Sequence, residues 1–145
     1  MSQDSPVQFG FVCVQNAGRS QMASAFAERE RARRGLDESV RIVTGGTHPA
    51  EEVHEEVIEA MRELDIDLSD RTPREIPTEE LESCDVVATM GCSTLNLDAE
   101  TDVRDWDLQD PDGKDPEEVR AIRDDIANRV DALFDEYFAE VETRQ

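Results

Sequence analysis

A cysteine and an arginine in the string CVQNAGRS have the types and spacing for covalent chemistry on an anion. Cys13 ends an apolar run, and Arg19 follows six positions later, where a helical pattern begins. Backbone amides curled between them, together with the dipole of a helix N-terminus, would form a cradle for a tetrahedral oxyanion. Arg19 can bind two oxygens of such an anion, and the positive field favours the thiolate form of Cys13. We therefore predict that Cys13 is a nucleophile and that Arg19 clamps its substrate.

The rest of the string, which we name the anion loop (residues 13–20), fits the same chemistry. Ala17 and Gly18 are small enough for a tight turn. The side chain of Asn16 is expected to brace the loop by hydrogen bonds to its backbone. Ser20 is predicted to be the N-cap of the following helix and to donate its hydroxyl to the Cys13 sulfur. The predicted substrate-binding residues are those of the loop itself: Gln15, Asn16, Ala17, Gly18, Arg19 and Ser20.

Strands and helices that could hold this loop alternate along the chain. The predicted strands cover residues 9–14, 40–44, 84–90 and 103–108, and the predicted helices cover 20–34, 53–64, 78–82 and 116–139. Such alternation is typical of an α/β fold, in which helices cover both faces of a parallel sheet and the site lies at the carboxyl ends of the strands. The 145 residues are expected to form one domain, 1–145, with its core over about 8–140.

The composition is strongly acidic, with 36 acidic and 15 basic residues and a net charge of -21. This charge argues against nucleic acid or an anionic membrane as a partner. Because apolar residues still recur at regular spacing, we interpret the acidity as the surface of a folded protein that works at high salt. No run approaches the roughly 18 apolar residues of a membrane helix, and residues 1–7 lack a signal-peptide pattern, so we expect a cytoplasmic protein.

Neither a metal nor a bound cofactor is predicted. No set of cysteines and histidines has zinc-ligand spacing, and no glycine-rich nucleotide loop is present. His48 and His54 are expected to have surface or capping roles. Cys84, at the start of a predicted strand, is expected to be a structural thiol.

The segment FVCVQNAGRSQMA resembles the signature of the low-molecular-weight protein tyrosine phosphatase superfamily. The segments GTHPAEEVHEEVIEAMRELDIDLSDRTPREI, DVVATMGC and DWDLQDPDGKDPEEVRAIRDDI are similar to its arsenate reductase branch. The resemblance runs from Phe9 to about Phe134 and implies a four-stranded parallel sheet with helices on both faces, the phosphotyrosine protein phosphatase I-like fold. It also implies that Asp110, in the pair Asp110-Pro111, is the general acid that protonates the leaving oxygen after attack by Cys13.

Cys92 follows a predicted strand and should emerge at the same sheet edge as Cys13. It matches the first resolving cysteine of arsenate reductases, whose thiolate attacks the Cys13 sulfur of an arseno-cysteine adduct, so that arsenite leaves and a Cys13-Cys92 disulfide forms. The thioredoxin-coupled reductases have a second resolving cysteine a few residues later, whereas residues 93–97 contain none. We therefore expect a small thiol or a redoxin to reduce the disulfide.

The substrate prediction depends on missing aromatic residues. Phosphotyrosine phosphatases of this family place aromatic side chains after the aspartate-proline pair and in the loop after the second strand. Here those places hold Asp112, Gly113 and residues 47–51, and Trp106 is expected in the core. A small oxyanion, arsenate or phosphate, is therefore the predicted substrate of a thiol-coupled arsenate reductase. A phosphatase acting on phosphotyrosine protein or a small phosphoester is the alternative, and a non-catalytic oxyanion sensor is a third possibility.

Overall fold

The computed structural model describes residues 6–90, 102–106, 108, 109, 111 and 113–143, the last five by their backbone alone. Strands and helices alternate in the first half of this chain, and a long helix ends it. The strands are β1 (Val7–Cys13), β2 (Val40–Gly46), β3 (Val86–Met90) and β4 (Asp102–Asp105). The helices are α1 (Arg19–Arg33), α2 (Glu55–Arg62), α3 (Thr78–Glu82) and α4 (Pro116–Thr143). No helix of the described chain is long and apolar enough to cross a membrane.

The four strands form one parallel sheet in the order β2-β1-β3-β4. β1 is therefore an inner strand with a partner on each side. Its last residue, Cys13, pairs with Gly46 of β2 and with Met90 of β3. This register brings the carboxyl ends of three strands to one edge, where a parallel sheet of this kind places its site.

Side chains of β1 alternate between two apolar clusters on opposite faces of the sheet. Phe9, Phe11 and Cys13 belong to the larger cluster, which includes apolar residues of α1, α2 and α4. Val12 belongs to a smaller cluster with Leu81 of α3. The predicted helices on both faces are therefore present, with three helices in the cluster on one side and the short α3 on the other.

Arginine side chains link α1 and α2 to α4 within this acidic protein. Arg34, at the end of α1, lies 2.9 Å from Asp131 and 2.8 Å from Asp135 of α4. Arg123 of α4 is buried and donates to the Ala60 carbonyl of α2 at 2.8 Å. These contacts hold the two site-bearing helices, α1 and α2, against the same long helix.

All four predicted strands have boundaries that differ from the structure. β1 begins two residues before the predicted start at residue 9, and β4 ends at Asp105 instead of residue 108. β2 continues through Gly45 and Gly46, which stay paired with Val12 and Cys13, although the predicted strand ends at residue 44. The predicted start of β3 at Cys84 is also wrong by two residues, because Cys84 donates its backbone N–H to the Leu81 carbonyl at the end of α3. The prediction of α3 at residues 78–82 is confirmed.

Candidate active site

The Cys13 sulfur lies at the end of β1, only 2% exposed, where the chain turns into the anion loop. Its Sγ lies 2.9 Å from the Ser20 hydroxyl and accepts a hydrogen bond from the Asn16 backbone N–H at 3.2 Å. A hydroxyl and an amide proton directed at one sulfur are the groups that stabilise a thiolate. The structure thus brings the predicted nucleophile together with two polar groups of its own loop.

Asn16 braces the loop, but the partners of its side chain differ from the predicted loop backbone: three are side chains and one is the backbone of Arg74. It adopts a left-handed conformation with φ +52°, which asparagine tolerates better than most residues. Its Nδ2 donates to the hydroxyls of Ser20 at 2.7 Å and Thr44 at 3.1 Å. Its Oδ1 accepts from the Arg74 backbone N–H at 3.1 Å and from Gln21 Nε2 at 3.1 Å. Because a backbone N–H only donates, the Arg74 contact fixes which way the amide faces.

Ser20 has one of its two predicted roles. The prediction that it caps α1 is wrong, because the helix begins at Arg19 and the N-cap is Gly18, whose carbonyl accepts the Met22 N–H at 3.0 Å. The loop closes two residues earlier than the capping pattern indicates. The predicted proximity to sulfur is confirmed, and since Ser20 accepts a hydrogen bond from Asn16, its own proton is available to the Cys13 thiolate.

The carbonyl groups of the anion loop face away from its centre because the segment after β2 binds them. We name residues 47–54 the outer segment. Its backbone N–H groups donate to four loop carbonyls: Thr47 to Cys13 at 3.3 Å, His48 to Val14 at 2.7 Å, Ala50 to Gln15 at 2.9 Å and His54 to Ala17 at 2.9 Å. In the described chain, the N–H groups of Val14, Gln15, Ala17 and Gly18 have no hydrogen-bond partner. These amides can therefore donate to an anion.

This arrangement requires a glycine where the outer segment begins. A Cβ atom on Gly46 would lie 2.5 Å from the Val14 carbonyl oxygen and 2.9 Å from the Asn16 nitrogen. Both are backbone atoms of the anion loop, so neither can rotate away. Gly46 is a site residue that the sequence analysis missed, and its signal is the pair Gly45-Gly46 directly after the predicted strand 40–44.

Arg19 begins α1 and is only 9% exposed. Its side-chain Nη1 donates to the Leu108 carbonyl at 3.1 Å. Nearby, Pro111 packs on Gly18, since a Cβ atom there would lie 3.0 Å from the proline Cγ. Leu108 and Pro111 thus both contact residues of the anion loop. Trp106 lies in the core against Phe11, with ring centroids 5.9 Å apart, as predicted.

Two of the four predicted catalytic residues, Asp110 and Cys92, lie outside the described residues. So do Asp107, Asp112 and residues 93–97. Their predicted roles stay predictions. Among the described residues, no group of three or more His, Cys, Asp or Glu side chains could hold a metal ion.

Cys84 lies far from the nucleophile, as expected of a structural thiol. It precedes β3 at the amino end of the sheet and packs with Val12 on the face opposite Cys13. It is 5% exposed, and its Sγ contacts the Glu80 carbonyl at 3.6 Å and Gln8 Nε2 at 3.5 Å. Burial is the largest cause of the raised pKa of this thiol. Cys84 is therefore a poor nucleophile at neutral pH and cannot reach the Cys13 sulfur.

The two histidines take different places along the outer segment. His48 is exposed and contributes its backbone N–H to the loop. His54 is the N-cap residue of α2, in agreement with the expected capping role, although its side chain makes no capping hydrogen bond. Instead its Nε2 lies 3.0 Å from the Gln15 Oε1. No local sequence pattern predicts this contact, because the residues are 39 positions apart.

A buried cysteine in a loop with unpaired amides, followed by an arginine that opens the next helix, is the arrangement expected of a cysteine-dependent oxyanion site. The low molecular weight phosphotyrosine protein phosphatase family matches residues 8–144, and the chain belongs to this family. It is 72% identical over 138 residues to the "Putative arsenate reductase" of Halobacterium salinarum, covering 94% of this chain and 97% of that protein. It is 34% identical to the glutaredoxin arsenate reductase of Synechocystis sp., covering 86% and 93%.

A solved structure gives the same assignment of family and fold. The thioredoxin-dependent arsenate reductase of Corynebacterium glutamicum superposes with a TM-score of 0.75 at 31% identity. The match covers 97% of this chain and 65% of that longer chain. The predicted family and the predicted four-stranded α/β fold are both confirmed.

Proposed function

We propose that the protein is an arsenate reductase that forms a covalent adduct on Cys13 and is regenerated by an external thiol. The observation that carries the proposal is the Cys13 Sγ, placed 2.9 Å from the Ser20 hydroxyl in a loop with four unpaired backbone amides. This arrangement suits attack on a tetrahedral oxyanion held by Arg19. The arsenate reductase names of the relatives, one at 72% identity, support arsenate as that oxyanion.

The first half of the reaction is an attack on arsenic. The Cys13 thiolate forms a sulfur–arsenic bond while Arg19 and the loop amides bind the remaining oxygens, and one oxygen leaves as water after taking a proton from Asp110. The packing of Pro111 on Gly18 supports this role, because it ties the residue next to Asp110 to the anion loop. Arginine in a charge-assisted clamp is well suited to the developing negative charge.

The second half transfers two electrons to arsenic. The Cys92 thiolate attacks the Cys13 sulfur, the sulfur–arsenic bond breaks with its electron pair staying on arsenic, and arsenite leaves as the disulfide forms. An external thiol must then reduce the disulfide, because the third cysteine, Cys84, is buried at the far end of the sheet. The thioredoxin and glutaredoxin dependence in the relatives' names supports a redoxin in this role.

The test is arsenite formation from arsenate with a redoxin system or a small dithiol. Cys13→Ser should abolish it, and Cys92→Ser should stop turnover after the adduct forms. Cys84→Ala is the matched control and should keep wild-type activity. Asp110→Asn should slow aryl phosphate hydrolysis by about 10² to 10⁴, the usual contribution of a general acid. Arsenite formation that continues unchanged in Cys92→Ser would rule out the internal disulfide.

Phosphomonoester hydrolysis is the second candidate, because the family model is that of a phosphatase. The same loop would form a phosphocysteine that water then hydrolyses, and Cys92 would have no catalytic part. The discriminating assay runs p-nitrophenyl phosphate and a phosphotyrosine peptide beside arsenate. Catalysis of neither reaction, with phosphate still bound, would support an oxyanion sensor instead.

We also propose that the protein works in a cytoplasm of high salt. Its net charge of -21 supports the adaptation to high salt, since counterions screen repulsion between surface carboxylates. The low and odd number of cysteines, three in 145 residues, supports a reducing compartment. Comparing activity at low and at molar salt tests the first half of this proposal.

A further inference from the structure

Gln15 is the exposed residue of an otherwise enclosed loop. Cys13 and Arg19 are buried, and so are all loop residues from Asn16 to Ser20, whereas Val14 is half-buried and Gln15 is exposed. The side chain of Gln15 is therefore open to a ligand that approaches the loop from solvent. The neighbouring outer segment, residues 47–54, carries no aromatic side chain that would cover it.

His54 holds this side chain in one orientation. Its Nε2 lies 3.0 Å from the Gln15 Oε1, and an amide oxygen only accepts, so the imidazole Nε2 carries the proton. The backbone of His54 is fixed by its own hydrogen bond to the Ala17 carbonyl and by the start of α2. With the amide oxygen occupied, the two N–H groups of Gln15 Nε2 are the donors that remain for a ligand.

We propose, on the basis of the arsenate reductase function proposed above, that Gln15 is a specificity-determining residue and that His54 positions it. The Gln15 amide donates a hydrogen bond to the fourth oxygen of a free oxyanion, the one that neither Arg19 nor the unpaired amides bind. In a phosphoester this oxygen carries the ester group and is a much weaker acceptor. The pair thus favours free arsenate or phosphate over esters.

Neutral donors suit this position because the surrounding segment is acidic. Glu51, Glu52 and Glu55 are exposed beside His54 along the chain and repel an approaching anion. A fixed carboxamide adds attraction at short range without requiring a further charge. It also discriminates by geometry, since a site built to bond a polar atom rejects a ligand that lacks it.

The experiment compares two ligands by calorimetry on the reduced, full-length protein. Phosphate has the fourth oxygen, and methylphosphonate replaces it with a methyl group. Gln15→Met keeps the side-chain length and removes the donors, whereas His54→Asn keeps a residue type favoured at a helix N-cap. His48→Asn is the matched control, because His48 belongs to the same outer segment but makes its loop contact through the backbone.

We expect Gln15→Met to weaken phosphate binding about tenfold, as for a lost hydrogen bond to a charged group, and to leave methylphosphonate binding unchanged. His54→Asn should change phosphate binding in the same direction by less, and the double variant should match Gln15→Met, since His54 acts through Gln15. His48→Asn should bind both ligands as the wild type does. Arsenate should show the same pattern in its KM.

Three results would overturn the inference. The first is a Gln15→Met variant whose affinity falls equally for both ligands or for neither. The second is a double variant whose fold-loss of phosphate affinity equals the product of the two single fold-losses. The third is a wild-type protein that binds no phosphate, which would also remove the proposed function. Selective phosphate binding without arsenite formation would refute the proposed function alone and leave the role of Gln15 standing.

Discussion

Removing the Ser20 hydroxyl should separate the two reactions that the anion loop can support. Hydrolysis of a phosphocysteine expels the Cys13 sulfur as a thiolate, which the Ser20 proton can stabilise across 2.9 Å. Reduction of an arseno-cysteine instead expels arsenite, and the sulfur enters a disulfide without becoming a thiolate. Ser20→Ala should therefore slow the breakdown of a phosphocysteine more than the reductive step.

The magnitude follows from the contacts of the hydroxyl. A hydrogen bond to a charged group contributes about 1.5 to 3 kcal/mol, so breakdown of the phosphocysteine should slow by roughly 10- to 150-fold. The substitution also leaves one N–H of the buried Asn16 Nδ2 without its Ser20 acceptor, while the other N–H keeps its bond to the Thr44 hydroxyl at 3.1 Å. An unpaired buried donor costs about 1 to 3 kcal/mol of stability, so the unfolding midpoint of the variant is measured beside its rate.

The assay is a rapid-mixing experiment with p-nitrophenyl phosphate. Ser20→Ala should give a burst of p-nitrophenol equal to the enzyme concentration, followed by slow turnover, because the phosphocysteine accumulates. Ser24→Ala is the matched control, since Ser24 is buried in the same helix and donates only to the Gln21 carbonyl at 3.1 Å. A Ser20→Ala variant without a burst, or with the same kinetics as Ser24→Ala, would refute this account of the hydroxyl.

Three further predictions follow from the packing and charge of the chain. Gly46→Ala should abolish activity while retaining a folded protein by circular dichroism, because its Cβ would lie 2.5 Å from the Val14 carbonyl oxygen; normal turnover would contradict this. Burial raises the pKa of the Cys84 thiol, so alkylation of Cys84 should require a higher pH than for an ordinary cysteine. The contribution of the Cys84 thiol to the free energy of unfolding should be present below the ordinary thiol pKa and should fall as pH rises through the raised pKa. Unfolding of the wild type and of Cys84→Ala at several pH values would test this. Finally, the unfolding midpoint should rise with salt at a net charge of -21, and a midpoint that is independent of salt would contradict the proposed high-salt adaptation.

The contacts between Cys13 and Ser20 were predictable from the local pattern of the sequence because they are made by neighbouring residues. Cys13, Asn16 and Ser20 lie within one strand-to-helix turn, and their mutual contacts depend on little else. The capping role of Ser20 was wrong for a related reason, because a serine at a predicted helix start does not reveal that Gly18 already occupies the N-cap.

Long-range contacts with the anion loop were not predictable from the sequence. The Arg74 backbone N–H that orients Asn16 comes from 58 residues away, and its side chain has no part in that bond. Thr44 contacts the same amide only because β2 continues beside β1 to the loop. Such contacts depend on the sheet register, which apolar periodicity alone does not specify.

The geometry also indicates the step at which the two proposed reactions, hydrolysis and reduction, diverge. Both reactions begin with attack by the Cys13 sulfur on the same bound oxyanion, so Arg19 and the loop amides serve each of them equally. They diverge at the next nucleophile, which is water at phosphorus in one case and a thiolate at the Cys13 sulfur in the other. Cys84 cannot supply that thiolate, since it is buried on the opposite face and at the opposite end of the sheet. With three cysteines in the chain, the choice in the proposed mechanism therefore depends on Cys92 together with a thiol from outside the protein.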